Sequence, residues 1–454
     1  MDAPNRFDPA TVGDFRVLGR TFDGVTGVVS LRYALGERLT FTETLTFETP
    51  FVRERDLDAP GLARALLHLQ VAAGTSYYKA AAPPEVIIED ESLTEKEREF
   101  HHHLYDDGLR EFAFTNGLAV PRPVTIRSGS GPTPERPAAR NPSGHGGLLV
   151  PIGGGKDSIV LIEAVKHLRP RLFAVNPHPL VLDQARRAGL DLIVVRRRID
   201  PGLGSLNGSG ALNGHVPITA IISLIAVVGS FLYDYDVIAM AVERSASEET
   251  VLVDGVPVNH QYSKSLDFER LFRGLVATSV DPGLRYGSPL RPYSELAIAR
   301  VFARLTDYHG TFCSCNSAFR QTAATGDRWC GRCPKCRFVA LMLAPFMDRH
   351  DLAAILGRDL FDDPDQIDGF AALMSDDDKP FECVGERRES AAAMRMLSTR
   401  PGWSETPVVA ALAARARALV DDDDVAAQLT PSAEQSGPDD GVAAAVRRLM
   451  AGAA

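Results

Sequence analysis

Six consecutive residues, Gly153-Gly154-Gly155-Lys156-Asp157-Ser158, bring together glycines, a cation, a carboxylate and a hydroxyl, the side-chain types that handle phosphate. Glycines lack Cβ atoms, so successive backbone N–H groups can curl around an oxyanion at the positive end of a following helix. The flanking residues supply the setting. Leu148-Leu149-Val150 is an apolar run ahead of the turn, and Leu161, Ala164, Val165 and Leu168 recur at helical spacing behind it, so the segment reads strand, tight turn, helix. Two common nucleotide motifs do not fit. A Walker A loop needs a glycine where Val150 stands and a Ser or Thr where Asp157 stands, and a dinucleotide fingerprint needs a glycine at Ser158.

The turn resembles the S-G-G-x-D-S loop of the PP-loop ATP pyrophosphatases, which split ATP to AMP and pyrophosphate while adenylating a substrate oxygen. That resemblance implies nucleotide contacts from Gly153, Gly154, Gly155, Lys156, Asp157 and Ser158, with Mg²⁺ assisting at Asp157. Gly153 departs from the pattern: it removes a hydroxyl donor and leaves only its N–H. The bland alternative is a glycine turn that binds nothing.

A second group of chemistry-bearing residues is Cys330-x-x-Cys333-x-x-Cys336, with Cys315 (or Cys313) 14 (or 16) intervening residues upstream. Three thiols in register with a fourth suit a tetrahedral structural Zn²⁺, and a similar arrangement occurs in the deazaguanine-forming nitrile synthases of the PP-loop superfamily. Packed, reduced thiols are the plain alternative.

The elements that must position these groups follow from patterning. Residues from about 14 to 51 alternate as a hairpin turning at Gly36-Glu37; Gly61 to Ala73 is helical and Gly74-Thr75-Ser76-Tyr77-Tyr78-Lys79 ends that helix. Thr94 to Gly117 is a second helical stretch, whose His101, His102 and His103 point in three directions and read as a mostly solvated face. Arg196-Arg197-Arg198 reads as a solvated strand end. After the glycine turn, apolar runs at 172–175, 191–195 and 237–242 alternate with helical segments, which predicts a parallel sheet with helices on both faces. Ligands in such sheets bind beyond the carboxyl ends of the strands, which singles out Asn176 as a nucleotide contact. The glycine-rich, polar stretch 202–214 is long enough to be a lid or substrate loop. The expected organisation is an N-terminal α+β domain (1–126), a Ser/Gly/Pro-rich linker (127–146), an α/β domain of PP-loop/HUP-like type carrying the cysteines (147–345), and a helical C-terminal region (346–454).

Composition bounds the reading. The 454 residues are 45% apolar with a formal charge of −10, which argues against a surface built for nucleic acid. The stretch from Ala220 to Tyr233 is too short to span a bilayer and reads as a buried helix. With no basic, apolar leader at the N-terminus and six cysteines that look like a site and not a disulfide framework, the expected compartment is the cytoplasm.

Several stretches together resemble one narrower family, the UDP-N-acetyl-muramoyl-L-alanyl-L-glutamate epimerases: 74–79, 153–158, Asn213-Gly214-His215-Val216-Pro217, Ser314-Cys315-Asn316, Arg328-Trp329-Cys330, 333–338 and Phe381-Glu382-Cys383-Val384-Gly385. The resemblance implies inversion of the terminal glutamate of a UDP-N-acetylmuramoyl dipeptide, with Mg²⁺ assisting as ATP is split to AMP and pyrophosphate. Chemistry explains the nucleotide. Removing an α-proton beside a free carboxylate builds a second negative charge, whereas an adenylated carboxyl is an electron sink. The base needs a pKa near neutrality, and His215, His260, Lys264 and Cys383 are the candidates by residue type and context, whereas Asp157 serves the pyrophosphate chemistry at the turn. A PP-loop enzyme that amidates a small carboxylic acid, and a nucleotide-binding regulatory module, are the competing expectations.

Overall fold

The computed structural model describes residues 7–51, 59–89, 91–130, 137–140, 147–316, 328–376, 379–433 and 437–452. Its centre is one ten-stranded sheet. Numbered along the chain, the strands are β1 (Asp14–Asp23), β2 (Val28–Leu35), β3 (Leu39–Phe47), β4 (Glu85–Ile88), β5 (Thr125–Ser128), β6 (Gly147–Pro151), β7 (Arg171–Val175), β8 (Leu192–Arg198), β9 (Tyr235–Ala239) and, after a small hairpin of β10 (Val251–Val253) and β11 (Val256–Val258), β12 (Arg285–Gly287). The order across the sheet is β12-β9-β6-β7-β8-β3-β2-β1-β4-β5.

Strands β12, β9, β6, β7 and β8 run parallel, as the alternation of apolar runs and helices predicts. Their order reverses between β6 and β9, the kind of switch point beside whose carboxyl ends ligands bind in such sheets. Side chains on these strands alternate between two buried cores: Leu148 and Val150 face one with the helix Lys156–Val165, and Leu149 faces the other with the helix Ile218–Tyr233. Helices therefore cover both faces. The α/β architecture with a mostly parallel sheet and a helical C-terminal region is as read from the sequence.

The N-terminal third differs from its reading in several places. Residues 14–47 make a three-stranded meander instead of a single hairpin, because Asp23 and Gly27 close a second turn: the Asp23 carboxylate accepts from the amides of Val25 and Thr26. The helix from Pro60 does not end at Gly74 but runs to Tyr78. Gly74 is what lets it lie close to the sheet, since a Cβ there would stand 3.0 Å from Phe15 and from the Tyr105 hydroxyl. His101 is fully buried, its Nε2 3.0 Å from Nδ1 of His68, whose other nitrogen meets Glu97 at 3.1 Å. Arg197 is also buried and not solvated. It donates twice to Glu43, at 2.7 and 3.1 Å, and this pair sits on the antiparallel seam of β3 and β8 that makes one sheet of the two halves. Of the expected linker, 131–136 and 141–146 lie outside the described residues.

The C-terminal region packs on the core that holds Lys156–Val165. The helices Glu295–Phe302, Pro334–Leu343, Arg387–Leu397, Pro407–Leu419 and Asp440–Ala451 all contribute buried residues to it. No helix among the described residues is long and apolar enough to cross a membrane.

Candidate active site at the carboxyl edge of the sheet

The glycine turn follows β6 directly. Gly154 has φ +92°, a backbone setting that L side chains rarely adopt, and its carbonyl is held by the Gln184 amide at 2.9 Å and the Cys313 N–H at 3.2 Å. A Cβ on Gly155 would stand 3.2 Å from the Ser314 hydroxyl, which brings Ser314-Cys315 against the turn, whereas one on Gly153 would meet nothing within 4 Å. The helix begins at Lys156, and the Ser158 hydroxyl donates to the Gly155 carbonyl at 2.9 Å. Among the described residues, the amides of Gly153, Gly154 and Gly155 donate to no other protein group. A glycine turn with these N–H groups at a helix N-terminus suits an oxyanion.

Lys156 is buried and pairs with both Asp157 and Glu295. Glu295 in turn lies 3.7 Å from Nζ of Lys335. Sequence reasoning missed Glu295. It follows Ser294, whose hydroxyl caps the helix, and so looks like an ordinary first-turn acid. Carboxylate oxygens are the donors a hard divalent cation takes, and both Asp157 and Glu295 present theirs to the Lys156 ammonium. Asn176 stands at the end of β7 with its side chain engaged elsewhere: its amide donates to the Arg197 carbonyl at 2.8 Å and its oxygen accepts from the Arg197 N–H at 2.9 Å.

The four candidate bases come together. Nδ1 of His260 lies 2.5 Å from the Glu111 carboxylate, Nδ1 of His215 lies 3.8 Å from the same oxygen, and the imidazole centroids are 4.4 Å apart. Lys264 donates to Sγ of Cys383 at 3.4 Å and to the Gln261 side chain at 3.3 Å, while the Gln261 amide holds the Val384 carbonyl at 3.1 Å. Burial pushes His215 down to about 3, with the His260, Lys264 and Lys79 charges adding to it. Burial also pushes on His260, but hydrogen bonds to Cys383 and Glu111 outweigh it and bring the ring up to about 9. For Cys383 burial acts to raise the thiol; the Lys264 ammonium and the His260 imidazolium overcome it and bring the thiol down to about 6. The directions favour a neutral His215 and a proton shared toward His260 and away from Cys383.

Topology explains this meeting. His215 lies in the connection after β8 and His260 in the connection after β9, so both reach the same sheet edge as the glycine turn after β6. Lys335 links the two halves of the site, through Glu295 on one side and through its charge on Cys383 on the other. Its backbone N–H also donates to Glu382 at 3.1 Å. Lys79 anchors the 213–217 segment, donating to the Asn213 side chain at 2.7 Å and to the Gly214 carbonyl at 3.0 Å. Glu111 was not foreseen.

The sulfurs of Cys315, Cys330, Cys333 and Cys336 converge within 4.8 Å of one another. Sγ of Cys336 is 3.4 Å from Cys333 and 3.8 Å from Cys330. A zinc tetrahedron with Zn–S of about 2.3 Å has edges of about 3.8 Å, so the donor set fits. Cys313 is left out of the cluster, its Sγ donating instead to the Arg328 carbonyl at 2.9 Å.

Fold and site define a mixed α/β protein with a glycine turn at a helix N-terminus, a polar His/Glu/Cys/Lys cluster and a four-cysteine cluster. The family model described as MurL N-terminal domain matches residues 6–289, and that described as MurL C-terminal domain matches 311–427. The chain belongs to the MurL family. Among its curated relatives, the UDP-N-acetyl-alpha-D-muramoyl-L-alanyl-L-glutamate epimerase of Salinispora tropica is 43% identical over 408 residues, 86% of each chain. Proteins of the same name from a Micromonospora species and from Xanthomonas oryzae are 41% and 40% identical, covering 86% and 89% of this chain and 88% and 90% of their own. No solved structure matches the chain.

Proposed function

We propose that this protein is an ATP-dependent epimerase of the PP-loop type, which inverts the terminal L-glutamyl residue of UDP-N-acetylmuramoyl-L-Ala-L-Glu to the D form for peptidoglycan precursor synthesis. The observation that carries the reading is the shared edge: a phosphate-suited turn and a basic, thiol-bearing cluster linked by Lys335, in a chain whose relatives bear the epimerase name. In this scheme the N–H groups of Gly153, Gly154 and Gly155 bind nucleotide phosphate. Lys156 neutralises the phosphate charge, and Asp157 and Glu295 hold Mg²⁺, which offsets the charge of the departing pyrophosphate. Adenylation of the glutamate α-carboxylate makes the α-proton acidic enough for a group of near-neutral pKa to remove. Water then cleaves the adenylate and releases AMP. The four thiols hold a structural Zn²⁺ that fixes Ser314 and Cys315 against the turn. A UDP-linked substrate and six free cysteines suit a reducing cytoplasm.

The test is incubation of UDP-N-acetylmuramoyl-L-Ala-L-Glu in D₂O, followed by hydrolysis and chiral separation. Deuterated D-glutamate that forms only with ATP and Mg²⁺, in step with AMP, is the expected result. AMP release with unlabelled L-glutamate would exclude epimerisation, and exchange without nucleotide would exclude adenylation before proton loss.

A further inference from the structure

The members of the polar cluster differ in how their protons are held. His260 has hydrogen-bonding partners in both Glu111 and Cys383, and both are acceptors when ionised, a role the ring meets as an imidazolium. Its proton is thus committed. Lys264 presents its ammonium to Cys383 and to Gln261, so it too is spent as a donor. His215 faces Glu111 and the ring of His260, with the charges of Lys264 and Lys79 nearby, and is a weak base there. Cys383 is the remaining group. It is half-buried, flanked by two cations, and one residue from Glu382, which holds the backbone of Lys335, the residue that reaches the Lys156–Glu295 pair of the glycine turn.

We propose that Cys383 is the base that removes the α-proton of the adenylated glutamyl residue, with Glu111 acting as a positioning residue through His260. This rests on the epimerase reading. The Cα–H bond breaks, the proton passes to Sγ, and the electron pair moves onto the acyl carbonyl. A proton from water then adds to the opposite face of Cα, and the thiol returns its own proton to solvent. Lys264 donates to the sulfur, the His260 and Lys335 charges act on it, and Glu111 and His215 contact His260. Burial alone would keep the thiol protonated, and the cations reverse that.

The experiment has two arms on the full chain. In the first, Cys383→Ala and wild type are compared for AMP formation and for deuterium incorporation into glutamate. The variant is expected to keep AMP formation within a few-fold while exchange falls by about 10²–10⁴-fold, the usual worth of a general base. In the second, iodoacetamide labelling of the Cys383 peptide is followed by mass spectrometry against pH. Wild-type labelling is expected to titrate near 6, and Glu111→Gln and Lys264→Met to move the midpoint upward.

Exchange that persists in Cys383→Ala would overturn the assignment, as would joint loss of AMP and exchange in a variant that melts like wild type. If the variant does not fold, a wild-type labelling midpoint at the free-thiol value overturns it. Labelling that appears only after chelation would put a divalent ion on Glu111, His215 and His260 and also overturn it. A wild-type protein that makes neither AMP nor D-glutamate refutes the epimerase reading itself, which the labelling arm does not depend on.

Discussion

Substituting Cys315 and substituting Cys313 should have opposite consequences, although both are buried and only Ser314 lies between them. The Cys315 sulfur belongs to the four-thiol cluster, whereas that of Cys313 is bonded to the Arg328 carbonyl at 2.9 Å. If the cluster holds Zn²⁺ in the folded state only, free metal at 1,000 times its dissociation constant stabilises by about 4 kcal/mol. A domain of 150–250 residues shifts by about 2–4 °C per kcal/mol, so loss of the metal should lower the melting temperature by about 8–16 °C. Elemental analysis of protein purified without chelator should give one zinc per chain for wild type and for Cys313→Ser. Cys315→Ser and Cys333→Ser should be metal-depleted and melt lower. Chelation of wild type should reproduce the shift and leave Cys315→Ser unchanged. Metal-free wild type of undiminished stability, or equal zinc loss in Cys313→Ser and Cys315→Ser, would refute the geometric assignment.

Three positions in the glycine turn and one buried carboxyl outside it have distinct expected outcomes. Asp157→Ala should abolish AMP formation, checked by nucleotide chromatography, with the melting temperature held close to wild type. Gly154→Ala places a Cβ at φ +92° and should cost about 1–2 kcal/mol by thermal melt, while Gly153→Ser, which meets open space, should be neutral in stability and retain AMP formation. Burial, with Glu386 and Glu243 adding to it, pushes the Glu389 carboxyl up to about 8. The native state then keeps a proton that the unfolded chain loses near its ordinary value of about 4.3, so this contribution to stability is complete below that value. It declines as pH rises through about 8, at about 1.4 kcal/mol per pH unit at most. Glu389→Gln should flatten that decline in denaturation curves taken from pH 5 to 8.5.

The parallel half of the sheet was legible because strands buried on both faces are short apolar runs separated by helical periods, as at Leu148–Val150 and Leu172–Val175. The N-terminal half was legible only locally. Alternation marked β2 and β3 as strands, but nothing in Thr44-Leu45-Thr46-Phe47 says that its partner is Arg196-Arg197-Arg198, since pairing across 150 residues leaves no local pattern. The buried pair Glu43–Arg197 shows why charge is a poor guide to exposure: each residue reads as solvated until its partner is known. The same holds for His101, whose burial depends on His68 and Glu97 from outside its own triplet.

In the site, residue type and family-like context picked out the candidate bases that the fold brings together, but not the carboxylates beside them. Glu111 and Glu295 reside among 59 acidic residues in the chain, and each sits on a helix where a glutamate needs no special reason. What singles them out is separation in sequence joined to proximity in space: Glu111 meets His260 across 149 positions, and Lys156 meets Glu295 across 139. A histidine or thiol announces a range of chemistry by itself, because its ordinary pKa already lies near neutrality. A carboxylate does so only through what faces it. Glu111 therefore acts on the proposed base at one remove: it fixes the charge of His260, which with Lys264 determines whether Cys383 is a thiol or a thiolate at the pH where the protein works.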